Sequence, residues 1–130
     1  MGKPYGYYNA KNTDGIFSKS EIEQYLRRRY GEPLTLDRMA ADFGYEPCYF
    51  SKLFKRVMGT TFLQCRNRMR VEQAMRLLQG TSWSVTDIGG RCGFETVRTF
   101  NRVFRGVTGQ SPRDYRMQRD SREWEETLAG

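Results

Sequence analysis

The sequence predicts an all-α protein of about seven helices, laid out as two similar small units on either side of a longer connecting helix. Three observations carry this. Apolar residues recur at the i, i+3, i+4, i+7 spacing of a helix in segment after segment. Ser or Thr caps open these segments and glycines close them. The pattern of residues 34–59 also returns about 50 positions later with its apolar and glycine places kept.

Composition sets the bounds. The chain has 130 residues, enough for one domain or two very small lobes. Its 22 Lys and Arg against 15 Asp and Glu give a net charge of +7, which calls for an anionic partner. No apolar run approaches the ~18 residues of a membrane span, and no secretory leader opens the chain. The expectation is a soluble intracellular protein with no membrane partner. Cys48, Cys65 and Cys92 are odd in number, far apart and accompanied by no histidine. Neither a disulfide framework nor a Cys/His zinc site fits, and no metal or cofactor is expected. An enzyme with a cysteine nucleophile lacks its base, and no glycine-rich phosphate loop occurs.

In chain order, residues 1–17 have no period and read as a flexible tail or linker, with Tyr5, Tyr7 and Tyr8 in it. Helix 1 should open at Ser18, with Glu21 completing a capping box, and end before Gly31. Its inner stripe is Ile22, Tyr25 and Leu26; Arg27, Arg28 and Arg29 suit its C-terminal dipole. Thr35 should cap a short helix, Leu34 should staple onto Met39, and Gly44 should end it. After a tight turn, Pro47 opens the next helix at the position where its missing N–H costs nothing. That helix has an apolar stripe, Phe50, Leu53, Phe54 and Val57, and an outer stripe, Cys48, Ser51, Lys52 and Lys55. A short helix, a glycine turn and an amphipathic helix with a basic outer face describe a helix-turn-helix unit.

The connecting helix runs from Thr61 to Gln79, with Thr61 and Gln64 as a capping box and Val71, Ala74, Met75 and Leu78 inside. Gly80 supplies its stop. At ~1.5 Å per residue the rod measures about 27 Å, somewhat short of the ~34 Å between successive turns of a major groove, which points to bent DNA or a loosely engaged lobe.

The unit then returns. Ser84 takes the place of Thr35 with Asp87 to close its box, and Trp83 with Ile88 repeats the staple. Met39, Gly44 and Tyr45 recur as Ile88, Gly93 and Phe94, 49 positions on. Phe50, Lys52, Leu53, Phe54, Val57 and Gly59 recur as Phe100, Arg102, Val103, Phe104, Val107 and Gly109, 50 positions on, so the second turn is one residue longer. The second outer stripe is Arg98, Asn101, Arg102 and Arg105. Together the outer stripes hold five basic residues and no acidic one.

The stretch DIGGRCGFETVRTFNRVFRGVTGQSPRDYR, with Cys92-Gly93-Phe94, Phe100, Phe104, Gly109, Ser111-Pro112 and Tyr115-Arg116, resembles the C-terminal signature of the AraC/XylS family of bacterial transcription regulators. The likeness covers about residues 18–116. Gly89 and Gly90 stand where that family usually has an alanine and a second helix former, each glycine costing roughly 0.5–1 kcal/mol in a helix interior. Phe62 replaces a common proline and Cys65 a common tyrosine, and Glu46 and Glu95 add negative charge where the reading helices begin. The organisation read here is a tail over 1–17, a first helix-turn-helix subdomain over 18–60, the connecting helix over 61–80, a second subdomain over 81–116, and an extension or tail over 117–130.

The resemblance implies sequence-specific binding to a double-stranded DNA operator, with the third and sixth helices in adjacent major-groove segments. Base edges then fall to Cys48, Ser51 and Lys52 in the first unit and to Val97, Arg98, Asn101 and Arg102 in the second. Lys55, Arg56, Arg66 and Arg105, with the helix starts at Thr61 and Ser111, are candidates for phosphate. It also implies a bacterial cytoplasmic protein with RNA polymerase as a second candidate partner, and a longer effector-responsive regulator, dimeric when whole, of which this chain is a monomeric DNA-binding fragment, although some members of the family are free-standing DNA-binding domains. The alternative is a basic helical module for protein or RNA, with only non-specific affinity for DNA.

Overall fold

The structure, a computed structural model, describes residues 17–118. The expectations for residues 1–16, Tyr5, Tyr7 and Tyr8 among them, and for residues 119–130 lie outside it. All regular structure among the described residues is helical: α1 Lys19–Arg29, α2 Leu36–Phe43, α3 Pro47–Met58, α4 Phe62–Gly80, α5 Val85–Arg91, α6 Val97–Thr108, and a seventh helix, α7, over residues 112–118. The chain divides into two compact units, one up to Met69 and one from Arg70, so that α4 contributes to both.

The first unit starts from Phe17. Its ring is buried, 5.4 Å from Phe43, 5.7 Å from Tyr45 and 5.0 Å from Phe50. The tail read over 1–17 therefore ends one residue too late. Nothing in an aperiodic segment marks its last aromatic as a core residue, yet burying a Phe contributes roughly 1.5–3 kcal/mol. Ser18 then caps α1 with the full box, its hydroxyl accepting from the Glu21 amide and the Glu21 carboxylate from the Ser18 amide. Ile22, Tyr25 and Leu26 face inward; the Tyr25 hydroxyl donates to Asp42 on α2 at 2.6 Å, and Arg29 covers the Tyr25 ring. Thr35 caps α2, with Leu34 and Met39 both buried in the same cluster, and Gly44 ends it at φ 84°. Pro47 opens α3, whose Phe50, Leu53 and Phe54 complete the cluster, with Val57 against its edge.

The second unit repeats this. The Ser84 hydroxyl accepts from the Asp87 amide, but Asp87 leaves its box half made and pairs with Arg91 at 3.4 Å. Aspartate is one methylene shorter than the Glu21 that closes the box in α1. Trp83 is 38% exposed with its ring under the Arg91 guanidinium at 4.1 Å, a cation–aromatic contact, while Ile88 is buried. Gly93 turns the chain at φ 102°. The Gly93 and Phe94 amides donate to the Gly90 and Gly89 carbonyls, as those of Gly44 and Tyr45 do to Ala41 and Ala40. The first reading helix is capped by the next residue, Glu46, whereas Glu95 intervenes before the second cap, Thr96. Glu95 is the extra residue of the longer turn. Phe94, Phe100, Phe104 and Tyr115 form a chain of rings at 5.1, 5.8 and 5.7 Å. Val71, Ala74, Leu78, Ile88 and Cys92 fill the rest of this core, with Arg70 over the Phe94 ring.

Three expectations change. Val107, read as core, is 44% exposed: periodicity puts it on the apolar side of α6, but its place in the last turn leaves it open to solvent. α4 runs through Gly80 rather than stopping on a left-handed glycine; its last carbonyls are met by the Thr81 hydroxyl, 2.7 Å from Leu77 O, and by Arg116. Gly89, read only as a propensity cost, also has a packing reason. A Cβ there would lie 2.7 Å from the Phe100 ring, so its bare backbone is what lets α5 sit against α6. Gly90 has nothing within 4 Å of the same atom.

Candidate nucleic-acid interface

α3 presents its outer face because its inner one is filled. With Phe50, Leu53 and Phe54 buried, the helical period leaves Cys48, Ser51, Lys52, Lys55 and Arg56 exposed. Glu46 caps the helix, its carboxylate accepting from the Tyr49 amide at 2.9 Å. That bond, then the one from the Cys48 amide, holds the carboxyl below its usual range. α6 is built alike. Phe100 and Phe104 are buried, and Arg98, Asn101, Arg102 and Arg105 are exposed; Val97 at its first turn is half-buried. Its cap is neutral, the Thr96 hydroxyl accepting from the Thr99 amide at 3.1 Å. The second reading helix thus begins without the carboxylate that the first carries.

Ion pairs among the described residues include Arg29–Glu32, Arg38–Asp42 and Arg91–Asp87. None of them uses Lys52, Lys55, Arg56, Arg98, Arg102 or Arg105. Cations outside such ion pairs on one face of a helix leave their donors for a ligand, although Lys52 also acts electrostatically on the Glu46 carboxylate. Within each unit the base and phosphate candidates of the reading helix therefore share one open face.

The helix starts behind the reading helices are formed by caps. The Thr61 hydroxyl accepts from the Gln64 amide at 3.2 Å, the Gln64 side chain returns to the Thr61 amide, and the Ser111 hydroxyl accepts from the Asp114 amide at 3.0 Å. First-turn amides of such helices point out of the helix end, where a phosphate fits. Arg66 is not where the sequence put it. Its guanidinium, half-buried, donates to the Leu34 carbonyl at 3.0 Å and to Asn67 at 3.2 Å, with its Nε also out of solvent, and burial lowers its pKa. Those bonds point its fork at acceptors of its own unit. Sequence reasoning also missed the part played by Arg116, which donates to the Leu78 and Thr81 carbonyls at 3.1 Å each. The available signal was its place, 50 positions after Arg66, in register with the rest of the repeat.

Cys48 is exposed, Cys65 half-buried and Cys92 buried, where burial pushes the thiol up to about 11. No group of three or more His, Cys, Asp or Glu among the described residues could hold a metal ion, and no described helix is long and apolar enough to cross a membrane.

Two capped helix-turn-helix units, each with an open cationic reading face, define a DNA-binding domain of the kind found in transcription regulators. A family model described as a helix-turn-helix domain matches residues 39–118, well over half of the chain. The chain belongs to the AraC-type helix-turn-helix family. It is 35% identical over 109 residues to the uncharacterised HTH-type transcriptional regulator YijO of Escherichia coli K12, which aligns with 84% of this chain and 38% of YijO. Among solved structures, it resembles the DNA-binding domain of AdpA, a global transcriptional factor in complex with a target DNA. The TM-score there is 0.75 and the identity 30%, over 79% of this chain and 93% of that one. An AraC-type regulator from Chromobacterium violaceum matches with TM-score 0.71 and 32% identity over 77% and 89%. The chain spans 31% to 38% of the length of three of the curated relatives that it matches, and 16% of the longer ones from Staphylococcus aureus. These relatives are named as HTH-type transcriptional regulators or, for PocR of Salmonella typhimurium, as a regulatory protein.

Proposed function

We propose that this chain binds double-stranded DNA by sequence, as the DNA-binding domain of a bacterial transcription regulator, with α3 and α6 each entering a major-groove segment. The observation that carries the reading is the pair of exposed outer faces, cationic, free of ion pairs among the described residues, and equivalent in both repeats. The AdpA domain, solved with its target DNA, supports the choice of partner.

Roles follow from side-chain chemistry. Arg98 and Arg102 have the fork geometry for O6 and N7 of guanine, Asn101 pairs bidentately with adenine, and Val97 touches a thymine methyl. On α3, Ser51 and Lys52 make the polar contacts and Cys48 a small apolar one. Lys55, Arg56 and Arg105, with the amides at the starts of α4 and α7 behind Thr61 and Ser111, hold phosphates. Since the two outer faces differ in sequence, one chain reads two unlike half-sites about a helical turn apart. The parent regulator acts in the bacterial cytoplasm on the nucleoid, carries a further domain, and meets RNA polymerase at the promoter.

The test is the ratio of affinities for a selected and a scrambled duplex at physiological salt. The reading predicts a ratio of ~10³ or more. A ratio near one, with affinity tracking charge alone, would hand the protein to the rival reading of a basic module for protein or RNA.

A further inference from the structure

Arg66 and Arg116 hold matching places in the repeat, each five residues after the cap of the helix that follows a reading helix, Thr61 for one and Ser111 for the other. Both guanidinium groups donate to acceptors of their own unit. In the first unit Arg66 Nη1 donates to the Leu34 carbonyl and Nη2 to Asn67 Oδ1, with the group over the Phe62 ring. In the second unit Arg116 Nε donates to the Leu78 carbonyl and Nη2 to that of Thr81. One acceptor in each unit lies on the approach to its short helix: Leu34 directly precedes the cap Thr35, and Thr81 lies three residues before the cap Ser84. Each arginine therefore ties the chain entering its helix-turn-helix unit to the helix leaving it, across 32 positions in one case and 35 in the other.

We infer that Arg66 and Arg116 are positioning residues for DNA recognition: each closes its unit into a ring and fixes the start of the following helix relative to the start of the short helix, with the reading helix held between them. The inference rests on the DNA-binding reading above. Its physical basis is that phosphate contacts set the register in which base contacts are made. A backbone contact made by the helix that follows can hold the reading helix in its groove only if that helix keeps a fixed place relative to the rest of its unit. Arginine suits this work because its planar fork reaches two carbonyls at once and stays charged when half-buried. Arg116 also brings its charge to the C-terminal end of α4, where the dipole and the unmatched carbonyls favour a cation.

The test uses Arg116→Lys and Arg116→Ala in the full chain, with Arg66→Lys as the counterpart in the first unit. Affinities for a selected and a scrambled duplex are measured across a salt series, well below each variant's melting temperature. The expected result is a fall in specific affinity on the order of 10-fold or more for the Ala variant, with scrambled-duplex affinity and the salt slope unchanged. Lysine, which replaces a two-carbonyl fork by a point donor, should fall between. Should Arg116→Ala not fold, the two Lys variants carry the same comparison with smaller changes. A salt slope reduced by about one with both affinities falling alike would make the arginine a phosphate contact and overturn the inference. Full specific affinity with only a lower melting temperature would reduce it to scaffold and also overturn it. If the unaltered chain itself failed to discriminate between duplexes, the DNA reading would fall first, and that result looks different from either of the others.

Discussion

Arg98 and Arg105 lie two turns apart on the exposed face of α6, and their chemistry separates cleanly. Arg98 is in the first turn, where a reading helix meets base edges, so Arg98→Ala should cost ~1–3 kcal/mol on the preferred site and relax selection at one base position. Arg105 is in the last turn, so Arg105→Ala should weaken all duplexes alike and flatten the slope of log affinity against log salt by about one unit. Quantitative gel shifts on a panel of single-base variants check both, and equal loss of selectivity from the two changes would refute the division. The cysteines differ by burial. At pH 8 iodoacetamide should modify exposed Cys48 and spare Cys92 until the chain is unfolded, as peptide mass mapping would show. Cys92 also has a signed effect on stability. The folded chain keeps its thiol proton up to about 11, while the unfolded chain releases it near the ordinary 9.0. Its contribution is thus fully present below pH 9 and lost as the pH climbs toward 11. Chemical unfolding across that window should show the decline, and it should be shallower in Cys92→Ala. What could be read at this scale was the type of side chain on each face. The direction of a long one was not legible: Arg66 and Arg116 sit on helices where spacing alone left them free to reach outward, and only the carbonyls of Leu34, Leu78 and Thr81 reveal that they turn in.

Helix starts were the most legible feature of the elements, because a cap is a local event. Ser18, Thr35, Thr61 and Ser84 each accept from the amide three residues on, as their spacing to the next apolar residue implies. Stops and covers were less so. Gly44, Gly93 and Gly109 adopt the left-handed conformation that ends a helix, but Gly80 does not, since side chains satisfy the last carbonyls of α4 instead. Val107 and Trp83 carry the right apolar character at the right period and stay substantially exposed. A period reports which side of a helix a residue is on; whether another element covers that side is a tertiary fact. The two glycines of α5 test the same point. Gly90→Ala should stabilise the domain by about 0.5–1 kcal/mol, the gain in helix propensity with open space to accept the methyl group. Gly89→Ala has the same propensity gain, yet must displace the buried Phe100 ring, and should be destabilising by ~1–3 kcal/mol. Paired thermal melts would show shifts of opposite sign, and a stabilising Gly89→Ala would mean that α5 and α6 separate more easily than this contact implies.

For the molecule as a whole, the duplication is what made the architecture readable, since two copies of one aromatic seam leave two equivalent faces for a ligand. The core boundary was less readable: Phe17, the end of a stretch with no period, joins Phe43, Tyr45 and Phe50 in the first unit's core. Phe17→Ala should therefore cost ~3–5 kcal/mol, measured by denaturant titration, where a tail residue would cost almost nothing. Function at this scale rests on the two faces being unlike. The first offers Cys48, Ser51 and Lys52 behind a carboxylate cap, and the second offers Arg98, Asn101 and Arg102 behind a neutral one. A single chain with those faces has no reason to prefer a symmetric site. Selection of this protein's targets from a random duplex library, followed by sequencing, measures that directly. The account predicts one asymmetric motif whose two parts differ in sequence and lie about one helical turn apart, with the stronger base preference in the part read by α6. A palindromic motif, or no enrichment over the starting library, would contradict it.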